Sequence, residues 1–198
     1  MNLQTRMARP DIRERLIAAA YELLVRRGAA GTGVDLIAGR ADCAKATLYK
    51  LFGSKAELMR AALQRREELW TQNWLEEGIM SRSNDAEGRL IAIFDMFHEW
   101  FRRDDFEGCT FMKVLLDPTI DPTIRTAALR HTDNIRALVV DLADGAGLPD
   151  AEGFADAWLT IMHGAIAAAM AGNPDAALIA KRAAEPLLRA WPRRRRRV

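Results

Sequence analysis

Lys45, Thr47, Tyr49, Lys50 and Lys55 gather ammonium and hydroxyl donors in one short stretch of the chain. The hydroxyls of Thr47 and Tyr49 can donate to phosphate oxygens and the lysines supply charge, so the chemistry on offer is polyanion binding rather than bond making. Ala46, set among them, permits close approach to a base edge or contact with a thymine methyl, and discrimination between bases falls to Lys45, Ala46 and Thr47, with Thr32 or Asp35 nearby. Amides that open a helix at Ser54 and Lys55 add a second anion site. Double-stranded DNA is the partner this set fits. Bond-making chemistry has no comparable support. The sequence holds no GxSxG, HExxH, GxxxxGK or strand-borne GxGxxG pattern, and His98-Glu99 is followed by Arg102 where a zincin needs His. No enzyme activity, cofactor or metal is expected. Cys43 and Cys109 lie 66 residues apart without a CxxC pair, which fits small buried hydrophobes in a reducing compartment better than a disulfide framework.

The elements that must position these groups read as helices throughout, so the fold class is all-α. A first helix follows Pro10, with Asp11 and Glu14 spaced as a capping box, an apolar face from Ile12 to Leu24, and Gly28 as its stop. Two short helices, Val34 to Arg40 and Lys45 to Phe52, flank a turn at Ala41, Asp42 and Cys43. Neither is stable alone, so Val34, Ile37, Ala38, Leu48 and Phe52 must pack on the first helix. A fourth helix opens with the cap Ser54-Lys55-Ala56-Glu57 and runs through Leu58, Ala62 and Leu69 towards Trp74. After a break at Gly78 to Asp85, helices are expected over 86–103, 108–117, 121–144, 150–171 and 174–190, the last with Asn173 as cap and Pro174 in its first turn. This makes about nine helices in an N-terminal domain over 1–54, a larger C-terminal domain over 55–192 and a basic tail over 193–198.

A long helix followed by two short ones about a tight turn has the geometry of a helix-turn-helix, whose second short helix enters the major groove. Val34, Ile37-Ala38, Lys45-Ala46-Thr47-Leu48-Tyr49, Phe52 and Ser54-Lys55 resemble the N-terminal signature of TetR (tetracycline repressor) family regulators over about residues 11–62. The resemblance implies DNA contacts by Lys45, Thr47, Tyr49 and Lys55, with Tyr49 and Lys55 on phosphates. Three positions depart from the pattern: Asp42 stands where Gly is usual, Ala44 where Ser often caps the recognition helix, and Leu51 where His commonly reaches a phosphate. Loss of the Ser cap costs about 1 kcal/mol of helix stability. The resemblance further implies a homodimer on a palindromic operator, released by a small-molecule effector of unknown identity, most commonly as a repressor. It places the dimer interface on the last two long helices, at Phe154, Ala157, Trp158, Ile161, Ala168, Leu178 and Leu187, with Pro186 kinking or shortening the second of them.

Charge supports the same division. Residues 1–55 hold ten Lys/Arg against five Asp/Glu, whereas residues 56–192 hold 14 against 22. A basic head on an acidic body suits an anionic partner for the head, nucleic acid before membrane. Arg6 and Arg9 are placed to reach a minor groove, and the five arginines of 193–197 form either a DNA anchor or a solvated end. In the body, Phe94, Phe97, Phe101, Phe111, Met112, Trp158 and Met162 either line an apolar effector pocket or fill the core; His98 and His163 offer hydrogen bonds to a ligand or are satisfied internally. The N-terminus lacks an apolar signal core, and the run Gly164 to Gly172 is too short to span a bilayer, so a cytoplasmic location without membrane contact is expected. The rival reading is an all-helical protein-interaction or ligand-binding module whose basic ends bind nucleic acid without a specific site.

Overall fold

The computed structural model describes residues 11–29 and 31–192, which are helical with no strand among them. Arg6, Arg9 and Arg193 to Arg197 lie outside the described residues. Helices α1 (Ile12–Arg27), α2 (Val34–Arg40) and α3 (Lys45–Phe52) form the head. A rod leaves it as α4 (Lys55–Glu67), continues through a π-helical stretch (Glu68–Glu76) and ends as α5 (Glu77–Arg82). The body comprises α6 (Ala86–Phe101), α7 (Thr110–Leu116), α8 (Pro122–Gly145), α9 (Ala151–Met170) and α10 (Ala176–Ala190). With the rod counted once, the described residues make nine helices.

Short helices survive in the head because each contributes to one shared core. Leu16 and Leu24 of α1, Ile37 of α2, Leu48 of α3 and Leu58 of α4 are all fully buried, and α4 packs against both α1 and α3. Helices of seven or eight residues have too few internal hydrogen bonds to persist without such packing. Three side-chain contacts close the head from outside: Arg40 grips Glu22 through two hydrogen bonds of 2.9 and 2.8 Å, Arg15 pairs with Asp42 at 3.8 Å, and the Arg13 guanidinium lies 5.1 Å from the Phe52 ring centre. Further along its length α4 packs on α8, so one helix touches the cores of head and body. The body is built around Phe94 of α6 and Phe154 and Trp158 of α9, with ring centres 5.3 Å apart for Phe94 and Trp158 and 5.0 Å for Phe154 and Trp158.

Several boundaries differ from the sequence expectation for identifiable reasons. Asp11 occupies the cap position of α1, but only its backbone carbonyl opens the helix, accepting from the Arg15 amide at 3.0 Å. Ser54 does cap α4, its hydroxyl accepting from the Glu57 amide at 3.1 Å. The Glu57 carboxylate turns to Arg60 at 2.8 Å instead of completing the box. Replacing Ser54 with Ala should cost about 1 kcal/mol, read as a lower melting temperature in thermal denaturation. The rod does not break at Gly78. A Cβ there would lie 2.3 Å from the Met96 methyl, so this glycine lets α5 close on α6, and the break comes at Ser83, before Asp85 caps α6. Leu69, expected inward, is exposed, because the wider π turn brings Thr71 and Leu75 to the buried side. Asn173 accepts from the Asp175 amide at 3.0 Å in a turn, and α10 starts only at Ala176. Pro186 neither ends nor shortens α10, which runs on to Ala190 with the proline on its exposed side.

Candidate nucleic-acid interface

The turn between α2 and α3 is held by the chain itself. Asp42 adopts a left-handed conformation at φ +49°, the Cys43 amide donates to the Ala38 carbonyl at 3.1 Å, and α3 begins behind Ala44 without a side-chain cap. With Leu48 turned fully inward, α3 shows solvent a face of Lys45, Ala46, Tyr49 and Lys50, with Thr47 half-buried beside them and Leu51 exposed at its end. Tyr49 is 43% exposed. Lys50 makes no ion pair among the described residues. Lys45 differs: its ammonium sits 3.0 Å from Asp35 of α2, whose hydrogen bond and charge raise the lysine pKa above its ordinary value. A polyanion must therefore compete with Asp35 for this cation.

Two candidates from the sequence occupy other places. Thr32 is fully buried and its hydroxyl donates to the Gly28 carbonyl at 2.6 Å. It is excluded as a base-contacting group and serves to lock the turn between α1 and α2. Lys55 is half-buried, its ammonium donating to the Ala29 carbonyl at 3.2 Å. It ties the start of α4 to the end of the α1 turn, beside the amides that open α4.

In the body, a cavity of about 230 Å³ is bounded by α6, α7, α8, α9 and the π-helical stretch. Phe97, Phe111, Met112 and Met162 line it. Phe94, Phe101, Trp158 and His98 do not: the first three are buried in ring contacts within the core, and His98 is half-buried away from the cavity with its Nδ1 unpartnered. The wall also contains Trp70, His131 and His163, and the first two were not foreseen. His131 stacks on Phe111 with ring centres 3.6 Å apart, and its Nδ1 engages Glu67, the last residue of α4. Asn134 donates to the other Glu67 oxygen at 3.1 Å, closing a polar cleft between α4 and α8.

Burial pushes the Glu67 carboxyl up, but hydrogen bonds from His131 and Asn134 and the imidazole charge outweigh it and hold the group below its ordinary value of 4.5. A carboxyl whose pKa falls on folding stabilises the fold above its unfolded pKa, and that contribution is lost as pH drops through the lowered value. Glu67→Gln should accordingly flatten the loss of thermal stability below about pH 4.5 while lowering stability at neutral pH. An unaltered acid limb would separate Glu67 from acid unfolding.

The outer helices show the same division between foreseen and actual surface. Phe154 and Trp158 are fully buried within the subunit, Phe154 also touching Trp191 with ring centres 5.3 Å apart, and so cannot form a dimer surface. Ala157, Ile161, Ala168, Leu178 and Leu187 are half-buried, and Gly164 and Ile179, the latter 52% exposed, lie on the open side of α9 and α10. Among the described residues no three His, Cys, Asp or Glu side chains gather as a metal site, and no helix is long and apolar enough to cross a membrane.

The family profile described as bacterial regulatory proteins, tetR family, matches residues 16–62, from α1 into α4. Beyond the head, the chain superimposes on a TetR-family transcriptional regulator from Streptomyces coelicolor at TM-score 0.76, with 25% identity over 90% of this chain and 94% of that one. The family match therefore covers the head and the start of α4, and the chain as a whole has the fold of solved TetR-family regulators. The matched residues hold a helix-turn-helix of the kind that family carries, with α3 in the place of its second short helix. Among curated relatives, the HTH-type transcriptional activator FasR of Mycolicibacterium smegmatis is 29% identical over 68% of this chain and 61% of its own length. The HTH-type transcriptional repressor NemR of Escherichia coli is 27% identical over 52% of each chain. These matches span half to three fifths of the relatives' length. The reduced form of NemR shares the fold at TM-score 0.74 and 21% identity, covering 89% of this chain and 96% of that one.

Proposed function

We propose that this chain is a cytoplasmic homodimeric repressor of the TetR family that occupies a palindromic operator and is released by a small molecule bound in the body, without catalytic activity of its own. The observation that carries the reading is the solvent-facing set Lys45, Ala46, Tyr49 and Lys50, with Thr47 half-buried beside it, on a recognition helix whose opposite side is locked by Leu48. Lys55 and the amides that open α4 flank this face as a positioning contact for phosphate. The head spans 1–54 and the body 55–192, joined by α4. Two subunits pair through the open side of α9 and α10, which sets two recognition helices one DNA turn apart and makes the operator two-fold. An occupant of the 230 Å³ cavity that favours the non-binding arrangement would act on the head through His131, Glu67 and α4.

Selection of DNA from a random pool, followed by fluorescence anisotropy at two salt concentrations, tests this reading. A palindrome should be enriched. Tyr49→Ala should weaken binding about tenfold, the loss expected for one hydrogen bond to a charged group. Weak binding without sequence preference, equal in the variant, would favour a helical interaction module instead.

A further inference from the structure

The cavity bounded by α6 to α9 has an uncommon balance of polar groups. No Asp, Glu, Lys or Arg lines it. Its polar side chains are His131, His163, Thr132 and Cys109, together with Trp70, whose indole N–H is buried without a partner. The Thr132 hydroxyl donates to the Ala128 carbonyl at 3.4 Å. Burial pushes the Cys109 thiol up, so it stays neutral. What remains for a ligand is one fixed donor, the indole N–H, and the edges of two imidazoles, which donate to a ligand when they carry a proton on the facing nitrogen. Glu67 fixes the role of one of them, because its carboxylate holds Nδ1 of His131 and leaves Nε2 for a second partner. At about 230 Å³ the space lies below the roughly 300–1,000 Å³ of sites for drug-sized molecules.

We propose that this cavity takes a compact apolar weak acid, one ring or one short branched chain bearing a single carboxylate, seated against Trp70 and Phe111 with its carboxylate at His131 and His163. The inference rests on reading the cavity as the effector site. A lipophilic cation would meet no carboxylate on the wall and would face imidazole edges. A neutral hydrocarbon would leave the indole N–H and both imidazoles unmet.

An anion brought into a site with no Lys or Arg on its wall, and whose His131 is already paired with Glu67, must be neutralised there, and His163 is placed to do it. In the empty cavity, burial and then the charge on His131 lower the His163 pKa below its ordinary value of 6.5. The titratable groups around it on the cavity wall are His131 from α8 and Cys109 ahead of α7, with Glu67 of α4 behind His131. Helix α6 contributes only Phe97 to that wall, and α9 itself adds Met162 and Ile166. A bound carboxylate reverses the balance, and His163 takes one proton from solvent or from the acid itself. The proton ends on the imidazole and the ligand remains a carboxylate.

The test uses the full chain with three probes of one shape: benzoate, benzyl alcohol and benzylammonium. Binding is followed by tryptophan fluorescence and by calorimetry at about pH 7.5 in two buffers of different ionisation enthalpy. Benzoate should bind with net proton uptake, at least tenfold tighter than either of the others. His163→Gln should abolish the uptake and weaken benzoate about tenfold while leaving the fold intact, since the position is only partly buried. Equal or tighter binding of the alcohol or the ammonium, binding of benzoate without proton uptake, or no binding of benzoate would overturn the assignment. Operator release separates the two readings. Release by the alcohol or the ammonium keeps the effector site and overturns the ligand class, whereas benzoate that binds with proton uptake but leaves the operator bound supports the class and removes the effector role.

Discussion

Gly164→Leu should fold as well as the parent chain and fail to dimerise. A Cβ at Gly164 meets nothing within 4 Å in the subunit, so the leucine projects from α9 into open space. Glycine inside a helix is less favourable than other residues by up to about 1 kcal/mol, so the monomer gains if anything. Its neighbours on that side, Ile161 and Ala168, are partly exposed and apolar, and a close helix-to-helix approach there depends on the missing side chain. On the proposed reading, in which two linked subunits hold two half-sites, loss of the dimer should lower operator affinity by roughly 10²–10⁴-fold, the range that linkage of two modest sites supplies. Light scattering on an eluting column reads the mass directly. Ile179→Lys, at a position 52% exposed on α10, gives an independent second variant. A Gly164→Leu protein that stays dimeric would place the interface elsewhere.

Leu48→Ala should abolish specific DNA binding without touching a DNA-facing atom. Leu48 is fully buried beneath α3 and shares a core with Leu16, Ile37 and Leu58. Truncation of a buried leucine costs about 2–5 kcal/mol, and α3, only eight residues long, has no other large side chain fully buried to hold it. The loss should be confined to the head. Hydrogen exchange is expected to accelerate in α2 and α3 while the amides around Phe94 and Trp158 keep their protection. Leu48→Met, which conserves volume, should cost less than about 1.5 kcal/mol and retain binding. Full operator affinity in Leu48→Ala would show that α3 is held from its exposed side.

The helix-turn-helix was readable because its determinants are local. Leu48 and Phe52 are four apart and face inward, which leaves Lys45, Ala46, Tyr49 and Lys50 for solvent whatever the rest of the chain does. Asp42 in a left-handed turn was equally legible, since few other side chains accept that conformation. Thr32 misled because a hydroxyl next to a glycine turn reads as exposed, while the Gly28 carbonyl one helical turn back captures it. The cavity was only partly visible for a different reason. Its aromatic wall draws on α6, on α7 and on Trp70 of the rod, and nothing in the sequence around Trp70 or His131 marks them as neighbours. Phe154 and Trp158, expected on a dimer surface, belong to the core because α9 is apolar nearly all round. Periodicity cannot say which side the chain's own helices will cover, and here α6 and Trp191 take the side with Phe154 and Trp158.

The wide turns of Glu68–Glu76 add a mechanical property to the rod. A π turn holds more residues per unit length than an α turn, so this stretch stores spare chain between the recognition helix and the body. Winding one spare residue into α-helical pitch would rotate everything on one side of it by about 100° relative to the other, the angle that one residue spans in an α-helix. Trp70 lies in this stretch and on the cavity wall at once. If the cavity is the effector site proposed above, an occupant pressing there would act on a screw thread rather than on a rigid lever, and what it would deliver to the head is torque.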